Sequence, residues 1–257
     1  MKIHPDLRTF GPEATALAFP LGGIGTGNVS LGARGDFRDW EIFNRPAKNT
    51  VLPNTFFTLR AQAEGAAPVL RVLEGRIQPP YHESHGFDPS TGAGLPRFSR
   101  CRFYGQYPLA RLDLSDDAVP VDVTLEAYTP LIPLNPEDSG LPCAVLTYTL
   151  TNTAALPVQV TLVGSMMNPV GHHLFNPLND KRDQPLGQTV NAYRESDALR
   201  GLHFSAAGID ASALEYGTLS LVTDHPQVTV KRHWLRGMWW DFLRDFWDDL
   251  EADGHLT

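Results

Sequence analysis

The sequence predicts an all-β fold, an antiparallel sandwich of about a dozen strands with long loops and one amphipathic helix near the C-terminus. Three observations predict it. Short runs with period-two apolar alternation recur along the chain. The 22 Gly and 21 Pro fall mostly between those runs, where turns need them. Helical periodicity is confined to a single C-terminal stretch.

Taken in order, Asn28–Leu31 and Phe37–Phe43 flank the Gly-rich turn Gly32-Ala-Arg-Gly-Asp36. Further strands are predicted over Phe56–Ala63 and Val69–Leu73. The clearest alternation is Val119, Val121, Val123, Leu125 and Ala127 against Pro120, Asp122, Thr124, Glu126 and Tyr128. Cys143–Asn152 and Val158–Leu162 follow, and the short Thr153–Pro157 connection suggests a hairpin between them. Thr189–Tyr193, Leu202–Ala206, Thr218–Thr223 and Val228–Trp234 complete the set. Asn168 to Gly187, with Pro169, Pro177 and Pro185, is a long unpatterned segment of the kind that often carries function. Near the end, Trp239, Leu243, Phe246, Trp247 and Leu250 recur at helical spacing, with Asp241, Asp245 and Asp248 largely opposite and Gly254 as a stop. Arg244 and Asp248 stand at a spacing that favours an ion pair.

Composition narrows the partners. At 257 residues the chain can bury roughly three quarters of its unfolded surface, enough for a real core. Its 21 Lys+Arg against 29 Asp+Glu leave a net charge of −8, which repels phosphate backbones and anionic lipid. Nucleic acid is therefore excluded as a partner. No run of about 18 apolar residues is present, so no membrane span is predicted. The N-terminal stretch holds Pro5, Asp6, Arg8 and Glu13, not an apolar signal core, so the expectation is a soluble, cytoplasmic chain. The Asn28-Val29-Ser30 sequon is then unused. Cys101 and Cys143 form no CxxC and read as two buried thiols, although a disulfide between them stays open.

Each motif has a competing structural explanation. Pro20-Leu-Gly-Gly-Ile-Gly-Thr-Gly27 fails both the dinucleotide and P-loop fingerprints, since Asn28 stands where each needs Gly or Lys. A strand follows it, so no helix N-terminus awaits a phosphate. The glycines point instead to a tight backbone path through a crowded sheet or beside a ligand. Arg34-Gly35-Asp36 spells an adhesion tripeptide, yet turn chemistry accounts for it. His82, His85, His172 and His173 match no helical zinc motif, and adjacent histidines in extended chain point oppositely, so no metal or other cofactor is expected. Asp39 and Glu41 share a predicted strand face, which makes them the one carboxylate pair with the geometry hydrolysis asks for. The competing explanation is a polar strand face paired with Arg38 or Arg45, or simply solvated. Asp116 with Asp117 and Glu137 with Asp138 sit in turns.

Taken together, Pro20–Gly27, Arg34-Gly-Asp-Phe-Arg-Asp-Trp-Glu-Ile-Phe-Asn44, Tyr107-Pro-Leu-Ala110, Pro120–Pro130, Ser139-Gly-Leu-Pro142, Asn168-Pro-Val-Gly171 and Phe246–Gly254 resemble, in kind and order, the start of glycoside hydrolase family 116. That family includes non-lysosomal glucosylceramidases and microbial β-glucosidases. The resemblance implies an amino-terminal β-sandwich followed by an (α/α)6 toroid that carries the nucleophile Glu and acid/base Asp of a retaining mechanism. Nothing in residues 1–257 resembles the toroid, so no catalytic residue is carried over. The expectation is one domain over 1–257, ending before the sandwich's last strands, with the catalytic (α/α)6 domain a partner in cis or trans. A β-glucoside or glycolipid would be met through that partner. An edge or apolar patch left bare by the missing strands would favour self-association.

Asp39, Trp40 and Glu41, with Asn168, His172 and His173, are the candidates for lining a substrate cleft, because an aromatic platform with polar neighbours suits sugar contact. A stand-alone carbohydrate-binding sandwich is the alternative. Three aligned solvent-facing aromatics would favour it; Trp234, Trp239, Trp240 and Trp247 cluster near the terminal helix instead. A self-sufficient enzyme using Asp39 and Glu41 ranks last, and would show raised carboxylate pKa values.

Overall fold

The computed structural model describes residues 8–79, 92–172, 186–237 and 241–256. His82, His85, His173, Trp239 and Trp240 lie outside these. Fifteen strands are present among the described residues, in four antiparallel sheets with one parallel pair.

A five-stranded sheet has the order β1-β8-β9-β10-β11: β1 is Arg8–Phe10, β8 Arg100–Gln106, β9 Leu109–Ser115, β10 Val121–Tyr128 and β11 Val145–Asn152. A four-stranded sheet has the order β12-β5-β6-β7: β5 is Phe56–Ala63, β6 Val69–Gly75, β7 Arg97–Phe98 and β12 Val158–Ser165. The two pack into one core. Leu112, Leu114, Val121, Val123 and Leu125 from the first meet Leu59, Ala61 and Leu73 from the second. The predicted alternation of β10 is observed residue by residue, with the odd-numbered Val121–Ala127 positions buried. A small sheet of β2 (Phe19–Leu21), β3 (Asn28–Leu31) and β4 (Phe37–Glu41) closes onto the same core through Leu21, Leu31, Phe37 and Trp40.

The four-stranded sheet is buried on both faces. Phe56, Leu70 and Val72 point away from the sandwich core and meet Phe246 and Leu250 of the C-terminal helix α2 (Asp241–Asp253). Phe246 stacks on Trp234 at 4.7 Å and meets Phe56 edge-on at 5.9 Å. The amphipathic stripe predicted for this helix is therefore spent on the chain's own sheet. Gly254, at φ +83°, ends it, its N–H bonding back to Leu250 O. Arg244 and Asp248 form the expected i,i+4 pair at 3.2 Å.

The third sheet runs β13-β14-β15: Gln188–Glu195, Arg200–Ala207 and Leu219–Thr223.

Two local expectations are corrected. Cys143–Asn152 and Val158–Leu162 do not form a hairpin: β11 pairs with β10 and β12 with β5, in different sheets. The 153–157 connection crosses the sandwich edge. Thr153 N–H bonds Pro120 O on one side, and Glu64 N–H bonds Pro157 O on the other. Each strand has an apolar face to bury, and crossing lets both face one core; Tyr148 of β11 meets Phe57 of β5 at 5.4 Å. Val228–Trp234 is not a strand. Side chains fix it to α2 instead: Lys231 bridges Asp245 and Asp249, each at 3.1 Å, and Trp234 stacks on Phe246. Cys101 and Cys143 are both free thiols, but not the buried pair expected: Cys101 is half-buried and Cys143 is exposed. Burial pushes the Cys101 thiol up to about 12.

Candidate functional site

The candidate carboxylates sit on a β-bulge. Asn28 pairs with Glu41 and Ser30 with Arg38, so β4 carries one more residue than β3 over this span. Asp39 takes the left-handed conformation (φ +53°), which Asp tolerates better than most residues. The bulge breaks the alternation, so consecutive Asp39 and Trp40 are both buried. A shared face for Asp39 and Glu41 thus does not follow from strand period alone.

A turn over residues 47–50 brings the two carboxylates to one cation. Lys48 Nζ lies 2.9 Å from Glu41 Oε2 and 3.6 Å from Asp39 Oδ2. Asp39 Oδ1 accepts the Asn49 N–H at 2.7 Å, and Asp39 N–H donates to Thr50 O at 2.9 Å. Thr50 Oγ1 accepts the Trp40 N–H and donates to Ala47 O. The hydrogen bond from Lys48 holds the Glu41 carboxyl below the usual range, against partial burial, with the Ala47 N–H assisting. Glu41 is thereby tuned to stay ionised, the opposite of a general acid. The partner is Lys48, not the Arg38 or Arg45 that sequence proximity suggested. Arg38 reaches Thr15 O, and Arg45 pairs with buried Glu215 at 2.8 Å.

Trp40 packs in the core against Phe37, with ring centroids 6.4 Å apart, and shows no aromatic face to solvent. Its Nε1 is buried without a hydrogen-bond partner among the described residues. Asn168 is also buried and structural: its Nδ2 donates to Ser205 O and Asn191 Oδ1, both at 3.0 Å, and its Oδ1 accepts Val170 N–H. It pins residues 168–170 to the third sheet; most of the unpatterned segment expected over 168–187 lies outside the described residues. His172 is half-buried, with its N–H on Pro169 O.

Glu215 links the two candidate groups. It holds Arg45 of the β4–β5 connection by its side chain and Gly171 N–H by its backbone oxygen. Sequence reasoning missed Lys48 and Glu215. Lys48 lies seven residues from Glu41 in an aperiodic stretch, and Glu215 carries no local signal for a partner 170 residues earlier.

The glycine stretch follows the tight path its sequence suggests. A Cβ at Gly22 (φ +142°) would lie 2.3 Å from Gly27 O, and one at Gly27 (φ +87°) 2.6 Å from Glu41 O. Arg34-Gly35-Asp36 is built into the core rather than displayed. Arg34 pairs with Asp36 at 3.3 Å and with buried Glu74, which Arg97 Nε also meets at 3.0 Å. Burial alone would raise the Glu74 carboxyl, but Arg34 and Arg97 outweigh it and hold it below its ordinary range.

Among the described residues no group of three or more His, Cys, Asp or Glu is placed to hold a metal ion. No helix there is long and apolar enough to cross a membrane. A family model described as beta-glucosidase 2, glycosyl-hydrolase family 116 N-term, matches residues 18–257. That span takes in the bulge, the glycine path, the terminal helix and every strand but β1. The chain belongs to glycosyl hydrolase family 116, as its N-terminal domain.

Proposed function

We propose that this domain is non-catalytic and acts by packing on the family's catalytic domain, orienting it and walling one side of its cleft. The observation that carries the reading is the state of the carboxylates. Asp39 and Glu41 converge on Lys48, and Glu41 is held in its charged form. A retaining hydrolysis needs one of its two carboxyls protonated at the start, and this pair is arranged against that. Glu41 with Lys48, and His172, are the groups offered to a cleft. Asp39, Trp40 and Asn168 hold the backbone behind them. Substrate, a β-glucoside or glycolipid, is met together with the catalytic domain.

A stand-alone carbohydrate-binding role draws less support. Trp40 is buried, and Trp234 and Trp247 pack around the terminal helix.

Hydrolysis of a chromogenic β-glucoside tests the proposal, with the chain alone and mixed with a separately expressed catalytic domain of the family. The expected result is no turnover by the chain alone and a higher kcat/KM for the mixture than for the catalytic domain by itself. Turnover by the chain alone that is lost in Asp39→Asn or Glu41→Gln would place the active site on this sandwich.

A further inference from the structure

Four large apolar side chains from two distant segments stand exposed where those segments meet. Ile24, at the tip of the glycine path, is 54% exposed; Ile132, Leu134 and Leu141 are 48%, 103% and 50% exposed. The segments are tied together. Ile24 N–H donates to Ser139 O at 2.8 Å, and Gly22 N–H to Thr129 Oγ1 at 2.6 Å. A Cβ on Gly23 would lie 2.5 Å from the carbonyl oxygens of both Gly140 and Leu141, so only glycine allows this approach. Buried Ser139 fixes the second segment from within: its hydroxyl accepts Ile132 N–H at 2.9 Å and donates to Ile132 O at 3.0 Å. The short helix α1 (Pro136–Ser139) is capped by Asn135.

Leu134 is the unusual member. It adopts φ +67°, a conformation that a leucine without local hydrogen bonding avoids, and it stands fully exposed among the described residues. The surrounding bonds hold a strained residue so that its side chain projects outward. Exposed apolar side chains held on a fixed frame are the form of a docking anchor.

We infer that Ile24, Ile132, Leu134 and Leu141 form the anchor by which this domain docks on the family 116 catalytic domain; the inference rests on the packing role proposed above. Charge selects this occupant over a second copy. Exposed Glu137 and Asp138 stand within the patch, on a chain of net charge −8. A twofold pair would bring each acidic pair against its twin, and like charges so placed oppose association. A catalytic-domain surface with an apolar recess and a neutral or basic rim meets no such repulsion.

The test is binding of the purified chain to a separately expressed catalytic domain of a family 116 β-glucosidase, followed by interferometry, with sedimentation of the chain alone. Leu134→Gly removes the side chain and relieves the backbone. It is expected to melt no lower than the parent and to bind at least about tenfold more weakly. Leu156→Ser, at an exposed apolar position on the β11–β12 connection, is expected to bind like the parent. If the parent binds and Leu134→Gly binds equally, the packing role stands and this surface is overturned. If the parent does not bind, the packing role falls and the surface with it. Dimers of the chain alone that Leu134→Gly dissolves would make a second copy the occupant and overturn the assignment.

Discussion

Two charge clusters lie within a few residues of each other in sequence and behave differently. Arg34 and Asp36 join Glu74 and Arg97 in a network whose central carboxylate is almost fully buried. Asp39 and Glu41 share Lys48, whose side chain is 63% exposed. The first cluster stitches the β3–β4 turn onto β6 and β7, with Gly75 N–H also bonding Arg34 O at 2.7 Å. The second holds a bulge and its neighbouring turn at the surface. Glu74 in the first and Glu41 in the second are both held ionised, but water shares the work only in the second. Burial, rather than charge count, decides what each is worth.

The largest effect should follow from removing the buried carboxylate. Glu74→Gln leaves Arg34 and Arg97 without their common counter-charge, and breaking a buried pair in this way costs about 3–5 kcal/mol. Urea unfolding at pH 7 measures it. The depressed Glu74 carboxyl stabilises the fold above the ordinary carboxylate pKa, and that contribution is lost as pH falls through the lower folded-state value. The gap between parent and variant should therefore narrow on acidification. A gap below about 1 kcal/mol at pH 7 would show that the buried and surface clusters do not differ as argued.

Asp39 tests the boundary between the two, being a buried residue of the surface cluster. Asp39→Ala deletes the acceptor of Asn49 N–H and puts alanine at φ +53°, at a cost of about 1–3 kcal/mol. Asp39→Asn keeps an oxygen for that N–H and tolerates the left-handed backbone, so it should stay within about 1 kcal/mol of the parent. Equal losses in the two variants, read by thermal unfolding, would mean that the charge matters more than the bulge geometry.

Strand β10 was legible because its side-chain period reports directly on a buried face. The resemblance carried the family. The false hairpin over 143–162 shows the limit. A five-residue link between two alternating runs is compatible with a hairpin or with a crossing between sheets, and only the partner faces decide. The strand expected over Val228–Trp234 failed for a related reason. Its apolar residues are spent on side-chain contacts to α2, which need no ladder. At the site, spacing put Asp39 and Glu41 together, but the bulge that buries Asp39 and Trp40 in succession leaves no local trace. Lys48 was hidden because a turn, not a period, brings it back. The apolar cluster at Ile24 and Leu134 joins segments more than a hundred residues apart, which no one-dimensional pattern records.

The smallest effect belongs to the surface pair itself. Lys48→Met removes the hydrogen bond that comes first among the causes of the low Glu41 carboxyl, so that carboxyl should titrate closer to its ordinary range. The Lys48 ammonium is raised in turn, chiefly by Glu41. In the parent, the Glu41 contribution is present above the ordinary carboxylate pKa and fades as pH falls through the folded value. The Lys48 contribution is present below the ordinary lysine pKa and fades as pH rises through its raised value. Between these limits the pair is intact, yet with so exposed a lysine its loss should cost less than about 1 kcal/mol. NMR titration of Glu41 in parent and variant separates the electrostatic effect from stability. A clear shift with little change in unfolding would mark the pair as a device for keeping Glu41 charged. No shift would mean that the Ala47 N–H and a hydrogen bond from the Asn28 side chain suffice to hold the Glu41 carboxyl low.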